Sequence, residues 1–393
     1  MSLLPHSRVT SLWQIDSLPF VLGALDRPHN MVGLPDALPF VLGVDTRTGL
    51  VSQVENPVVA RALGLAYRTA DAMPSNFDAS GIGRVYADDF LAFIDREVGE
   101  FAGRRLLEIG SGTGYLLAQL RDRGAAVLGI EPGAHGQDGA RENGVEIVHD
   151  FFPSPQVTGL FDFIVLSNVL EHLEDPVDFL SVLASQLAVG GRIIVGVPDE
   201  SAYLNSGDVS TLFHEHWSYF DRRTLTNTVR LAGLGVDVLE VASFGGSLYC
   251  LITPVEQSVE PVEVGEAIGV AERYARQARA NGGLVRAFVE DGTRDRRELG
   301  VYVPSRFLNV AEIGRLRLDA VRFFDDDEGA HGKFYPGFVA PIENREELLV
   351  RPPDSVLIMS QTFGPRLAET LAGLLPGVRI TCVADVLALG SPY

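Results

Sequence analysis

Residues 106–120, Leu-Leu-Glu-Ile-Gly-Ser-Gly-Thr-Gly-Tyr-Leu-Leu-Ala-Gln-Leu, restrict the fold more than any other stretch of the chain. An apolar run closes on Glu108 and Ile109, glycines follow at 110, 112 and 114, and Leu116, Leu117 and Leu120 then recur at helical spacing. That order reads as a buried strand, a tight turn and a helix. Such a turn lets a ligand approach bare backbone, with helix amides aimed at its anionic end. The spacing is G-x-G-x-G, and Tyr115 stands where a dinucleotide fingerprint has a further glycine, so a pyrophosphate cofactor is disfavoured.

Strand and helix patterns alternate from Arg105 to about Pro198, which predicts a parallel, doubly wound α/β sheet. The second strand, Ala126 to Ile130, ends in Glu131, roughly 20 residues past Gly110, the offset at which a carboxylate reaches ribose hydroxyls in this type of sheet. Val145 to Val148 is the third strand. It leads into Asp150-Phe151-Phe152, which reads either as an acid and aromatic faces around an adenine or as a turn acid followed by core aromatics. Phe161 to Leu166 is the fourth, ending at Ser167 and Asn168. A helix from about Val177 to Leu187, the Gly190-Gly191 turn and a strand from Arg192 to Val197 complete the pattern.

On the N-terminal side, Phe20 to Leu22 and Phe40 to Val44 read as short strands, and Asn56 to Tyr67 as an amphipathic helix. Leu-Pro-Phe-Val-Leu-Gly occurs twice, at 18–23 and 38–43, as in a duplicated hairpin. After a polar break at Met73 to Asn76, a helix from about Val85 to Val98 carries the core aromatics Tyr86, Phe90 and Phe93. Beyond Pro254, long amphipathic helices are expected over Val262 to Ala280 and Leu284 to Glu298. Strands are expected at Leu299 to Val303, Asp319 to Phe324, Ser355 to Ile358 and Arg379 to Ala384, giving a second α/β layer without a glycine-rich nucleotide loop. Asp325 to Glu328 reads as an acidic turn. The expected organisation is a small N-terminal domain (1–70), a Rossmann-like domain (71–253) and a C-terminal α/β domain (254–393).

Charge and cysteines narrow the function classes. With 32 basic and 52 acidic side chains the net charge is −20, which argues against generic binding to nucleic acid or an anionic membrane. Cys250 and Cys382 supply neither a disulfide framework nor a thiolate zinc site. No apolar span is long enough to cross a bilayer and Met1 to Val9 has no signal core, so a cytoplasmic location is expected. No oligomeric state follows from the sequence.

The most specific catalytic pattern lies later, at Phe213-His-Glu-His-Trp-Ser-Tyr-Phe220. Glu215 and His216 can serve one substrate if the segment is an irregular loop rather than a strand, where neighbours point apart. His214 and His216 would share a strand face, but no further ligand cluster accompanies them, and no metal is expected.

Together, Glu-Ile-Gly-Ser-Gly-Thr-Gly, the acid after the second strand, Asp-Phe-Phe, Asn168-Val-Leu-Glu-His-Leu-Glu-Asp-Pro176 and Gly-Gly-Arg-Ile-Ile-Val resemble the class I S-adenosylmethionine-dependent methyltransferases. The resemblance implies a cofactor site of Glu108, Gly110, Ser111, Gly112, Gly114, Glu131, Asp150, Phe151 and Asn168. In it the glycine turn holds the methionine part, Glu131 the ribose, and Asp150 with Phe151 the adenine. His172 would be structural or line the cofactor pocket. The Phe213 to Phe220 segment, Phe244-Gly-Gly-Ser-Leu-Tyr249 and Gly332-Lys-Phe-Tyr-Pro-Gly337 further resemble the sugar C-methyltransferases of deoxysugar biosynthesis, which act on nucleotide-linked keto sugars. By that likeness His216 is the base and Glu215 its partner, while Phe213, His214, Tyr219, Ser247 and Lys333 face the substrate and the C-terminal domain holds its nucleotide, with Arg306 and Tyr335 as further candidates. The chain departs from the pattern in three places. Phe213 replaces a tyrosine, Gly112-Thr113 replaces Asn-Asp, and residues 1–70 have no cysteines to match a zinc module, of which they would be a metal-free remnant. The expected activity is C-methylation of a small molecule. O- or carboxyl-methylation of another natural-product metabolite, and a non-catalytic cofactor-binding scaffold, remain open.

Overall fold

Apolar residues fill both sides of every central strand, so these strands belong inside a sheet covered on both faces. In the computed structural model, which describes residues 8–21, 23–30, 33–69, 77, 81–255 and 262–389, Arg105–Ile109 is an interior strand of a seven-stranded sheet. The order is Leu234–Val241, Ser247–Pro254, Leu187–Pro198, Phe161–Ser167, Arg105–Ile109, Ala126–Ile130, Ile147–Val148. Leu107, Ile109, Ile164, Leu166, Ile193 and Val195 pack on one face. Leu106, Phe163, Val165 and Ile194 pack on the other, as period-two alternation requires. From Leu187–Pro198 outward through Ile147–Val148 the pairing is parallel, as expected. The hairpin Leu234–Val241 and Ser247–Pro254, not anticipated, adds two antiparallel pairings at the other edge. Because the chain enters at an interior strand and winds outward both ways, the order reverses between Arg105–Ile109 and Phe161–Ser167. A crevice opens at the carboxyl ends of such strands.

The chain divides into two compact units: Met1–Thr10, Val44–Asp199 and Glu215–Ile268 form the first, and Ser11–Gly43, Glu200–His214 and Gly269–Tyr393 the second. Residues 1–70, expected as a domain of their own, are thus shared between the two. The second unit holds a five-stranded, all-parallel sheet in the order Ile342–Glu343, Val321–Phe324, Leu299–Tyr302, Ser355–Ile358, Arg379–Cys382. The two-residue strand Ile342–Glu343 is too short to show a period. The two helices expected beyond Pro254 are a single helix, Gly265–Gly292. Asn281-Gly-Gly looks like a helix stop, yet the Asn281 side chain donates to the carbonyls of Ser206 (2.7 Å) and Gly207 (3.1 Å), and this tertiary anchor carries the helix through. Strand Val9–Pro19 ends just before Phe20, so the strand expected at Phe20 is displaced toward the N-terminus, whereas Phe40 lies inside Ala37–Asp45. Leu22 and Met73 to Asn76 lie outside the described residues.

Local chemistry sets the elements around the glycine turn. Helix Tyr115–Asp122 starts from Gly114 in a left-handed conformation (φ 76°) and buries Leu116, Leu117 and Leu120. Helix Pro176–Ala184 is capped by Asp175, whose carboxylate accepts from the amides of Val177 and Asp178 and pairs with Arg8 and Arg47. Helix His135–Asn143 presses bare backbone on the turn: a Cβ on Gly139 would overlap Thr113, and Asn143 donates to Thr113 O at 2.9 Å. Gly139→Ala is therefore expected to destabilise the protein by about 1–3 kcal/mol. Gly373→Ala, in a helix with nothing within 4 Å of the new methyl, is expected to be neutral or stabilising by up to about 1 kcal/mol. Thermal melts of the two variants check both signs.

Candidate active site

A cleft of about 270 Å³ opens where the strand order reverses. Of the residues expected around a cofactor, all but Gly114 line it. Gly110 and Gly112 adopt left-handed φ values of 69° and 51°, and a Cβ on Gly110 would overlap Val169. The Glu131 carboxylate, 8% exposed, accepts from the amides of Gly112 (3.0 Å) and Gly133 (2.8 Å). Burial, with the Glu131 charge beside it, pushes the Glu108 carboxyl well above the usual range. Glu108 Oε2 and Ser111 Oγ are buried and have no hydrogen-bond partner among the described residues. Polar atoms left so cost roughly 1–3 kcal/mol each, a cost that a polar ligand in the cleft removes. Asp150 is held by the Phe151 amide (2.8 Å) and the Ser154 hydroxyl (2.7 Å), which lower its pKa. Phe151 is half exposed, with its ring edge-on to Tyr67, and Asn168 takes a left-handed φ of 52° at the strand end.

His172, on the cleft wall, joins the cleft to the His-Glu-His segment. Its Nδ1 lies 3.0 Å from the Glu215 carbonyl. A carbonyl only accepts, so Nδ1 carries the proton and Nε2 is left as an acceptor. Burial lowers the His172 pKa to about 4, which keeps the ring neutral. The His216 ring stands edge-on to it, with centroids 4.9 Å apart. Neighbouring Glu171 is 1% exposed, and its backbone oxygen accepts from the Trp217 amide at 2.8 Å. One carboxylate oxygen of Glu171 and one nitrogen each of His172 and His216 all lie within 4.8 Å of one another. Burial raises the Glu215 carboxyl to about 7. Tyr67, on helix Pro57–Thr69, lines the cleft, and burial together with the charges of Glu215, Glu171 and Glu131 pushes its hydroxyl above the usual range. Tyr67 and Glu171 were not singled out from the sequence. The first lies on a helix far from any motif, and the second was overshadowed by the histidine beside it.

The substrate candidates divide. Tyr219 is fully buried in strand Ser218–Tyr219, with its ring 6.2 Å from that of His216. Ser247 opens strand Ser247–Pro254 opposite Pro198 and is not among the cleft-lining residues. In the second unit His214 is 3% exposed, packed against Phe20 and Phe40 with Nε2 at 3.1 Å from Leu18 O, and burial lowers its pKa to about 4. This is a core position, which corrects its expected role at the substrate. Phe213 and Tyr203 both lie under the Arg306 guanidinium, each 5.3 Å from it. Lys333 sits in the turn that pairs with Ile342, and Tyr335, 8% exposed, has its hydroxyl raised to about 12, chiefly by burial. The acids of 325–328 cap their own turn, and Asp326 also binds Tyr302 and Arg345.

The Glu215 carboxyl, with its pKa raised from 4.5 to about 7, contributes stability in its neutral form at low pH and loses it as pH rises through that window. Glu215→Gln is accordingly expected to melt higher relative to wild type at pH 8 than at pH 5, by a difference of about 1–3 kcal/mol. Paired thermal melts at the two pH values measure it.

Residues 82–238 match a family described as a methyltransferase domain. The C-methyltransferase NovU of Streptomyces niveus is 27% identical over 300 residues, 69% of this chain and 70% of that one. The ubiquinone biosynthesis O-methyltransferase of Marinobacter nauticus is 30% identical over 195 residues, 44% of this chain and 79% of that one. Magnesium protoporphyrin IX methyltransferase from Synechocystis, solved with bound SAH, aligns at a TM-score of 0.36 and 20% identity, covering 44% of this chain and 83% of that one. No helix among the described residues is long and apolar enough to cross a membrane. The methyltransferase-domain match and the Marinobacter relative, with the glycine turn and the caged Glu131, place the chain among the class I S-adenosylmethionine-dependent methyltransferases, the family to which it belongs.

Proposed function

We propose that the chain methylates a carbon of a small-molecule acceptor, a nucleotide-linked keto sugar, with His216 as the base that takes the acceptor's proton. The observation that carries this reading is the clustering of Glu171 and His216 around His172, which lines the donor cleft and donates to the Glu215 carbonyl. The name of the Streptomyces relative, a C-methyltransferase, and the order of the His-Glu-His, Gly-Gly-Ser and Lys-Phe-Tyr motifs support it. The relatives acting in ubiquinone biosynthesis favour a second reading, methylation of an oxygen, which uses the same base on a hydroxyl.

The cleft fits S-adenosylmethionine. Ser111 Oγ and Glu108 Oε2 offer unpartnered polar atoms to its methionine end, while the Glu131 carboxylate faces its ribose and the exposed Phe151 ring with Asp150 its adenine. Bound there, it supplies an electrophilic sulfonium methyl. The protein's own tasks are then alignment and proton removal. A ketone next to the acceptor carbon acidifies its C–H bond. His216 takes that proton and the electron pair stays on the substrate as an enolate, which needs hydrogen-bond donors near its oxygen. Tyr67 supports this step, because its hydroxyl keeps its proton and donates from the cleft wall. In the second unit the sheet order also reverses, between Leu299–Tyr302 and Ser355–Ile358, and Val303 just past the first of these strands is β-branched yet left-handed (φ 62°, ψ 61°). Such backbone costs roughly 1–3 kcal/mol and tends to mark binding sites, which supports a nucleotide-holding role for this unit.

Glu131→Ala is expected to weaken S-adenosylmethionine binding at least tenfold by calorimetry, since it removes both the acceptor for the ribose and the anchor of the Gly112 amide. His216→Ala is expected to lower turnover by roughly 10²- to 10⁴-fold and leave cofactor affinity nearly unchanged; retained turnover removes it as the base. The acceptor is identified by a screen with methyl-labelled cofactor that includes nucleotide-linked keto sugars, the new bond being located by NMR. A new carbon-bound methyl supports the leading reading, and an oxygen-bound one rejects it.

A further inference from the structure

The carboxylate next to His216 in the chain is Glu215, but the one beside it in the cluster comes from another segment. Glu171 lies in the short turn Leu170–His172, and its carboxylate oxygen falls within 4.8 Å of nitrogens of both His172 and His216. One backbone bond and one side-chain bond fasten this turn to residues 215–217, with the Trp217 amide donating to Glu171 O and His172 Nδ1 donating to Glu215 O. The cluster is therefore held by main chain as well as by side chains.

We propose that Glu171 is the positioning residue of the base: its buried carboxylate offsets the positive charge that His216 acquires when it takes the acceptor's proton. The proposal rests on His216 being the base. Before transfer the pair is a carboxylate and a neutral imidazole. The broken C–H bond leaves its electrons on the substrate and its proton on the His216 nitrogen, so the pair becomes a carboxylate and an imidazolium. The proton leaves to water once the site opens.

An opposite charge within about 4–6 Å raises a histidine pKa by roughly 1–3 units. The other groups facing this point answer the demand less well. His172 is neutral and carries no charge to offer. Tyr67, from helix Pro57–Thr69, keeps its proton, and Tyr219 presents a ring at 6.2 Å. Glu215 lies on the same segment as His216. Burial raises its carboxyl to about 7, so near neutrality it is partly protonated and offers less negative charge. Glu131 is engaged by the amides of Gly112 and Gly133.

The test is a titration of the histidine ring carbons by NMR in the full chain saturated with S-adenosylhomocysteine. Wild-type His216 is expected to titrate at or above the ordinary value of about 6.5, despite its enclosed position. Glu171→Gln is expected to lower that value by about one unit, a tenfold change in proton affinity. Glu171→Asp should restore most of it, and Glu215→Gln should move it less than Glu171→Gln does. S-adenosylhomocysteine affinity, read by calorimetry, reports whether each variant keeps its fold. The proposal is overturned if wild-type His216 titrates well below 6.5, if Glu171→Gln leaves it unmoved, or if Glu215→Gln moves it more. It is also overturned if the purified protein retains a stoichiometric divalent metal that Glu171→Gln releases, since a coordinated imidazole cannot accept the proton. None of these readouts requires turnover. Full activity in His216→Ala would remove the base assignment while the titration still reported whether Glu171 and His216 are coupled.

Discussion

The two hydrogen bonds that the Glu131 carboxylate accepts from Gly112 and Gly133 hold the donor cleft in shape. They tie the glycine turn after one strand to the end of its parallel neighbour. Charge-assisted bonds of this kind contribute roughly 1.5–3 kcal/mol when shielded from water. Their effect spreads through the site. A Cβ on Gly136 would strike the Glu131 side chain, so helix His135–Asn143 reaches this point only as bare backbone. Burial, with the Glu131 charge beside it, also raises the Glu108 carboxyl well above its ordinary value.

The donor half of the site was legible in the sequence because its parts are local. Strand, turn and helix are consecutive, and the acid on the next strand sits at an offset that parallel βαβ geometry dictates. The same holds for the doubly wound order, since apolar runs alternating with helices leave few ways to cover both faces of a sheet. The edge hairpin escaped because Leu234–Val241 and Ser247–Pro254 carry no feature that distinguishes antiparallel from parallel partners.

The acceptor half was legible only as a motif. Alternation placed His214 and His216 in similar roles, but their surroundings differ. His214 meets the rings of Phe20 and Phe40 and the Leu18 carbonyl. Phe20 and Phe40 occupy the same position in the two Leu-Pro-Phe-Val-Leu-Gly copies, so the repeat that looked like a duplicated hairpin supplies both walls of the His214 pocket. His216 instead meets His172, whose tautomer is set by a carbonyl 43 residues further along the chain. No periodicity or spacing rule reaches across that separation. Asn281-Gly-Gly misled in the same way, because its side-chain anchors on Ser206 and Gly207 exist only in the folded chain.

The two halves also differ in how they respond to protons. Around the glycine turn the polar groups are the Gly112 and Gly133 amides, the Ser111 hydroxyl and the carboxyls of Glu108 and Glu131. Around His216 stands Glu215, raised to about 7, and on the proposed mechanism the His216 imidazole begins neutral and ends charged. Burial alone would make that second state costly, as it does for His172 and His214. On the mechanism proposed above, the turn Leu170–His172 brings the Glu171 carboxyl to the base from a buried position. On that mechanism the change of charge falls where the substrate loses its proton, away from the glycine turn.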